Sequence, residues 1–225
     1  MTNGSSPPDA QEALYSRLRE EMIQTQIVAR GIRDPRVIEA LRRIPRHAFV
    51  EEALRSRAYD DGPLPIGESQ TISQPYIVAL MLEGLALTGE ESALEIGTGS
   101  GYLAALLSRL CRRVFSVERR SSLASRAGRL LARLECYNVQ IRSGDGTRGW
   151  PSEAPFDAIV VSAAGDRVPD PLKNQLKEGG CLILPVGAEQ DQKLLKLVKG
   201  PAGWAQTSLC DCQFVKLIGE YAWPE

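Results

Sequence analysis

Three short segments combine residue types that can hold a small, charged ligand, and a fourth sets hydroxyls beside them. "ALEIGTGSGY" places Gly97, Gly99 and Gly101 in a G-x-G-x-G run, with Glu95 two residues before the first glycine and Thr98 and Ser100 between them. Glycines where a strand turns into a helix allow a tight turn and a close backbone approach to a ligand. Glu118 ends the apolar run "RVFSVE". It stands about 20 residues beyond the glycines, where a carboxylate can accept both ribose hydroxyls of a nucleotide-like cofactor; alternatively it is a solvated charge beside Arg119 and Arg120. In "SGDGTRGW", Asp145 lies between Gly144 and Gly146. It can bring a carboxylate to an adenine edge, or form a plain Asp-Gly turn. "PIGESQTISQPY", Pro65 to Tyr76, is polar and matches no strand or helix of its own. Either it is a loop with a helix cap, or its backbone and hydroxyls face a ligand.

Two cofactor classes compete for the glycine loop. A dinucleotide rests its pyrophosphate on a helix N-terminus. S-adenosylmethionine has no phosphate, so its ammonium and carboxylate need loop carbonyls, amides and acidic groups. Tyr102 occupies the position a dinucleotide fingerprint fills with its third glycine.

The elements that must position these residues follow from periodicity. Leu14, Leu18, Met22 and Ile23 recur at helical spacing and predict a helix over 12–28. "RDPRVIEALRRI" predicts a second, with Asp34 as N-cap and Pro35 at its first position. A third runs from Tyr76 to Leu85. The rhythm then changes: "SALEI", "RVFSV", "NVQIR", "FDAIVV" and "GGCLILPVG" are short, nearly continuous apolar runs, as in parallel strands buried on both faces. "GYLAALLSRL" and "SLASRAGRLLARLE" intervene as helices. Strand–helix alternation predicts an α/β fold: a doubly wound, mostly parallel sheet with helices on both faces. The tail, "KLLKLVK" and "WAQTSLCDCQFVKLIGEYAW", predicts two or three further strands closing the sheet edge. The expected organisation is a single domain. Residues 1–9 are expected to be disordered, 10–90 to form a helical N-terminal part with the polar loop, 91–190 the ligand-binding core and 191–225 the closing strands.

Composition narrows the partners. A net charge of −1 provides no general field for nucleic acid or an anionic membrane. No apolar run approaches the ~20 residues that span a bilayer, and the first nine residues carry no signal-peptide core. Five scattered cysteines and one histidine give no zinc spacing, so no metal is expected, and reduced thiols place the chain in the cytoplasm.

Taken together, "PLPIGESQTISQPYIVA", "LEIGTGSGYLAALLS", "SGDGTRGW", "APFDAIVVSAA", "VPDPLKNQLKEGGCLILPVG" and "FVKLIG" resemble the protein-L-isoaspartate O-methyltransferase family, over about Arg17 to Tyr221. The resemblance implies a Rossmann-like fold that uses S-adenosylmethionine, with its last strands ordered differently from most methyltransferases, in a monomeric, cytosolic repair enzyme acting on isoaspartyl proteins and peptides. It implies that Gln70, Thr71, Ile72 and Ser73 lie over the cofactor and that Ser73 is the active-site residue. Cofactor contacts are then expected from Glu95, Gly97, Thr98, Gly99, Ser100, Gly101, Glu118, Asp145 and Gly146. Ile72, Ser73, Ala163, Ala164, Phe214 and Val215 are expected to wall the peptide cleft. Esterifying an isoaspartyl carboxylate improves its leaving group, so a succinimide can re-form and partly open to normal aspartate. That carboxylate is already ionised near neutrality, so no general base is needed. Positioning alone can supply roughly 7–11 kcal/mol.

Three positions depart from the family pattern. Ser69 replaces a common glycine and is expected to stiffen the loop. Gln213 stands for an arginine, removing a bidentate carboxylate partner if that arginine had this role, and Lys216 stands for a proline. Other readings stay open: methylation of one particular peptide or a small carboxylate, or a non-catalytic module that binds the cofactor without turnover. Nucleic-acid methylation fits poorly, since "SAAG" is not the polar-Pro-Pro-aromatic run of amino-methylating enzymes.

Overall fold

The computed structural model describes residues 10–224, so the expectation for residues 1–9 falls outside it. Helix α1 (Ala10–Met22) runs into a widened π turn, Ile23–Ile27, and a 3-10 turn, Val28–Arg30. The predicted first helix is therefore helical throughout but changes winding, with Ile23 and Ile27 fully buried. Helix α2 (Pro35–Arg43) starts as expected: the Asp34 carboxylate accepts from Arg36 N at 2.8 Å and Val37 N at 3.4 Å.

The polar loop differs from expectation. Strands β1 (Leu64–Gly67) and β2 (Gln70–Ile72) form an antiparallel hairpin whose burial alternates, Leu64, Ile66 and Ile72 facing the core. Its polar residues hid the pattern because only every second position is buried. The two turn residues, Glu68 and Ser69, have φ of 54° and 55°. Mirror-image hairpin turns need this left-handed backbone and favour glycine. Ser69 is thus held in a strained backbone. Ser69→Gly is expected to stabilise the protein by about 0.5–1 kcal/mol, the left-handed penalty less glycine's entropy. An unchanged or lower urea midpoint would contradict this.

Helix α3 (Pro75–Leu85) follows, then β3 (Ser92–Ile96), α4 (Tyr102–Leu107), β4 (Arg113–Glu118), α5 (Ser121–Arg133), β5 (Val139–Ser143), β6 (Phe156–Val161), α6 (Asp170–Asn174), β7 (Leu176–Ala188), β8 (Asp191–Gly200) and β9 (Gly203–Cys212). The main sheet has the order β5-β4-β3-β6-β7-β8-β9. It is parallel from β5 to β7, and β7-β8-β9 continue as an antiparallel meander. The order turns over between β3 and β6, the switch point beside which ligands bind in such sheets.

One face of the sheet carries Ala93, Val114, Ala158 and Ile183 against α1–α5. The other carries Leu94, Phe115, Ile159 and Leu182 against α6, Trp150 and the C-terminal segment. Coverage of this second face is thin and mostly irregular. The tail adds two strands rather than three: beyond Cys212 the chain leaves the sheet and makes only isolated bridges, Ala164 to Lys216 and Ile218 to Trp223.

Candidate active site

Strand alternation places Glu95 of β3 and Ser116 of β4 side by side on the α4 face, in direct register. Both are fully buried. The Ser116 hydroxyl donates to Glu95 Oε2 and lies 2.5 Å from the Thr98 hydroxyl, so a chain of side chains links the glycine loop to the carboxyl group. Glu95 Oε1 has no hydrogen-bond partner. The Ala104 amide, in the open first turn of α4, lies close enough to favour the charge without completing a bond. Burial dominates, aided by repulsion from Glu118 and opposed by the Ser116 hydroxyl, and pushes the Glu95 carboxyl up to about 8.

Beyond Ile96 the chain needs positive φ at Gly97, Gly99 and Gly101, 89°, 53° and 90°, to pass from strand into α4. Glu118 closes β4 facing this turn. Its Oε2 accepts from Gly99 N at 2.8 Å and its Oε1 from Arg120 N at 2.9 Å, which fixes the carboxylate and leaves lone pairs toward the cavity. Gly146 approaches Ile96 so closely that an added Cβ would sit 2.4 Å from its Cγ2.

These pieces surround one cavity of about 950 Å³, counting its open mouth. Its walls include Gln70, Thr71, Ile72 and Ser73 of the hairpin segment, Glu95, Gly97, Thr98, Gly99 and Ser100, then Glu118, Gly146, Ala163 and Val215. The hairpin is clamped over it from α5: the Arg126 guanidinium donates to Ile66 O, and Arg120 and Ser122 hold Glu68 at 3.3 and 2.9 Å. A second cleft, lined by Pro63, Gln74, Ile77, Cys212, Gln213 and Phe214, shares Thr71, Ser73, Ser162 and Val215 with the first. Ser73 therefore stands where the two meet. Helix α3 is capped at Gln74 without a side-chain bond, and among the described residues the Ser73 hydroxyl makes no hydrogen bond. The helix-cap alternative is removed.

Three expected site residues, Gly101, Asp145 and Ala164, line neither cleft. Gly101 begins α4 and packs on α5, where an added Cβ would lie 3.1 Å from that of Ala127. Asp145 does not line the cavity: its Oδ1 accepts from Thr147 N and Oγ1 at 2.9 and 2.7 Å, and its Oδ2 from Glu220 N at 2.9 Å. Burial pushes this carboxyl up, but the Glu220 and Thr147 donors outweigh it and hold it below the usual range. Ala164 is fully buried, its backbone pairing with Val215 and Leu217. Phe214 belongs to the second cleft alone, gripped by Gln192, which donates to its carbonyl at 3.2 Å and accepts from its amide at 2.7 Å. Sequence reasoning missed Ser116, although a lone hydroxyl inside "RVFSVE" was a signal, and missed the buried Arg46, for which no signal existed.

Residues 17–222 match the family model described as Protein-L-isoaspartate(D-aspartate) O-methyltransferase (PCMT). The chain belongs to this family. Named relatives agree over nearly their whole length. Protein-L-isoaspartate O-methyltransferase 1 of Syntrophobacter fumaroxidans is 53% identical over 93% of this chain and 98% of its own. The protein-L-isoaspartate O-methyltransferase of Syntrophus aciditrophicus is 55% identical over 93% and 97%. A solved protein-L-isoaspartate O-methyltransferase superposes with a TM-score of 0.81 at 30% identity, covering 92% of this chain and 67% of that one. A Plasmodium falciparum structure described as the same enzyme, in complex with S-adenosyl-L-homocysteine, gives a TM-score of 0.77 at 27% identity, over 91% and 98%.

Proposed function

We propose that this protein-L-isoaspartate O-methyltransferase family member transfers a methyl group from S-adenosylmethionine to the α-carboxylate of isoaspartyl residues in damaged proteins and peptides, opening their repair through a succinimide. The observation that carries this reading is Ser73, an uncommitted hydroxyl at the junction of the glycine-lined cavity and a second cleft. The residues present fit the cofactor. Glu95 keeps a buried oxygen without a partner, suited to a ligand ammonium, and the glycine loop offers amides and carbonyls beside it. Glu118 is already oriented to accept ribose hydroxyls, and Gly146, packed closely on Ile96, lines the same cavity. Bound there, S-adenosylmethionine supplies a sulfonium methyl that an ionised carboxylate oxygen takes directly, the carbon–sulfur bond breaking as the oxygen–carbon bond forms.

Ser73 hydrogen-bonds and orients the incoming carboxylate, while Ile72 and the clamped hairpin exclude water above it. Ala163 and Val215 wall the transfer point, and Phe214 with Gln213 lines the path of an extended peptide. No acid–base residue is required, consistent with a single histidine, His47, packed against Tyr15 and Tyr59. The same reading makes the protein a cytoplasmic monomer without nucleic-acid or membrane partners. Free thiols at all five cysteines suit a reducing compartment and a net charge of −1 gives no general field for polyanions; no described helix is long and apolar enough to cross a membrane.

The test pairs peptides that differ only in Asp or isoAsp linkage and supplies labelled S-adenosylmethionine. Base-labile label in the isoAsp member alone is expected. Equal label in both, or in neither, removes the reading; label on one peptide sequence only would instead indicate a dedicated peptide methyltransferase.

A further inference from the structure

Arg46 is the bulkiest fully buried side chain among the described residues. It lies in the 3-10 turn Arg46–Phe49, far in sequence from every cavity segment. Its Nε donates to Ala58 O at 2.7 Å and its Nη2 to Ser73 O at 2.8 Å. The guanidinium carbon is 5.0 Å from the centroid of the Tyr102 ring, and that ring lines the cavity. Neither Nη1 nor the Tyr102 hydroxyl has a hydrogen-bond partner, although the two groups are close. Among the described residues no carboxylate balances the charge. Desolvation lowers the arginine's pKa, with Tyr102 and Tyr59 opposing it, yet an arginine stays protonated.

A buried, uncompensated cation is costly. Two backbone carbonyls do not require one, since a neutral donor would satisfy them. The charge becomes useful when an anion arrives nearby, because the low dielectric around it transmits its field with little loss. Its Nη2 bond places it directly behind the Ser73 backbone.

We propose that Arg46 is a positioning residue for the methyl-accepting carboxylate, fixing the Ser73 backbone and holding behind it a positive charge that favours an anion over a neutral group. This rests on the methyl transfer proposed above. Its test is equilibrium binding of an isoaspartyl peptide and of its neutral isoasparaginyl counterpart to the full chain saturated with S-adenosylhomocysteine, with kcat measured in parallel. Wild type is expected to prefer the carboxylate by about tenfold or more. Arg46→Met is expected to lose most of that preference while its Kd for S-adenosylhomocysteine stays within about threefold. Arg46→Lys should keep the preference, having the charge, but lose about tenfold in kcat because a single ammonium cannot hold both carbonyls.

Undiminished preference in Arg46→Met overturns the proposal. So does an equal loss of peptide and S-adenosylhomocysteine binding in the folded Met variant, which would mark a merely structural residue. Should Arg46→Met fail to fold, Arg46→Lys decides: wild-type kcat or a lost preference there is fatal. A wild type that does not distinguish the two peptides would instead count against the isoaspartyl reading itself.

Discussion

Ser73→Ala is expected to lower turnover by about 10²-fold or more, the size of loss seen when one positioned hydrogen-bond donor is removed from an active site, while the Kd for S-adenosylhomocysteine changes by no more than several-fold. The asymmetry follows from where the residue stands. Ser73 is half-buried, with neither a capping role nor a hydrogen bond to its hydroxyl among the described residues. Removing the oxygen therefore breaks nothing in the free protein, and thermal stability should be nearly unaffected. What disappears is a donor aimed at the junction of the two clefts, which can hold a carboxylate oxygen in line with the transferring methyl. Near-attack alignment is the main resource of a reaction without acid–base steps, so small angular freedom translates into a large loss of rate. Single-turnover measurement with an isoaspartyl peptide separates this from slow product release. A variant with wild-type single-turnover rate would return Ser73 to the status of a hinge between hairpin and helix.

Glu95→Gln should change stability in a manner that depends on pH. The folded-state value of about 8 lies above that of an unfolded glutamate near 4.5. Below pH 4.5 the carboxyl is neutral in both states. As pH rises toward 8, the unfolded chain ionises first, so the wild type loses stability across this window and levels off above it. Glutamine has no such loss and fits the same volume. The ligand-free variant is expected to match wild type near pH 5 and to exceed it at pH 8.5. Each pKa unit corresponds to about 1.4 kcal/mol, so a rise from 4.5 to about 8 sets a ceiling on the order of 5 kcal/mol. Urea denaturation at the two pH values reads the difference directly, and parallel curves would show that the carboxyl is not strained by burial. Ligand binding should run the other way. An ammonium beside Oε1 favours the ionised carboxylate, so S-adenosylhomocysteine binding at pH 7 should release a proton in the wild type and none in the variant. The variant should also bind about tenfold or more weakly, the worth of one charge-assisted hydrogen bond. Calorimetry in buffers of different ionisation enthalpy measures both.

The parts of the molecule that were legible in the sequence are those where local physics agrees with the global fold. Continuous apolar runs such as "FDAIVV" gave β6, and the Asp34-Pro35 pair gave the start of α2. The glycine run marks the turn where Gly97 and Gly99 take a left-handed backbone beside the cavity. Gly101 belongs to the same run but packs on α5, since a sequence cannot say which face of a turn meets a cavity. The place of Asp145 was hidden for a related reason. Its carboxylate turns toward Thr147 and Glu220, and Glu220 lies far along the chain. Arg46 was illegible because its role depends on Ala58 and Ser73 converging on it from separate segments. The hairpin escaped because a half-buried two-strand ribbon of polar residues leaves almost no periodic trace.

The chain's crossing over Ala164 after Cys212 has a consequence for how activity arises. Ala164 N donates to Val215 O, and Leu217 N to Ala164 O, both at 2.8 Å, and Val215–Ile218 forms one side of the cavity. A growing polypeptide can assemble the glycine turn and its acidic neighbours while these residues are still inside the ribosome, but it has no enclosed chamber until they emerge. Competence to react therefore waits on these residues, and fragments ending before Val215 should remain inert even where their parallel sheet is intact.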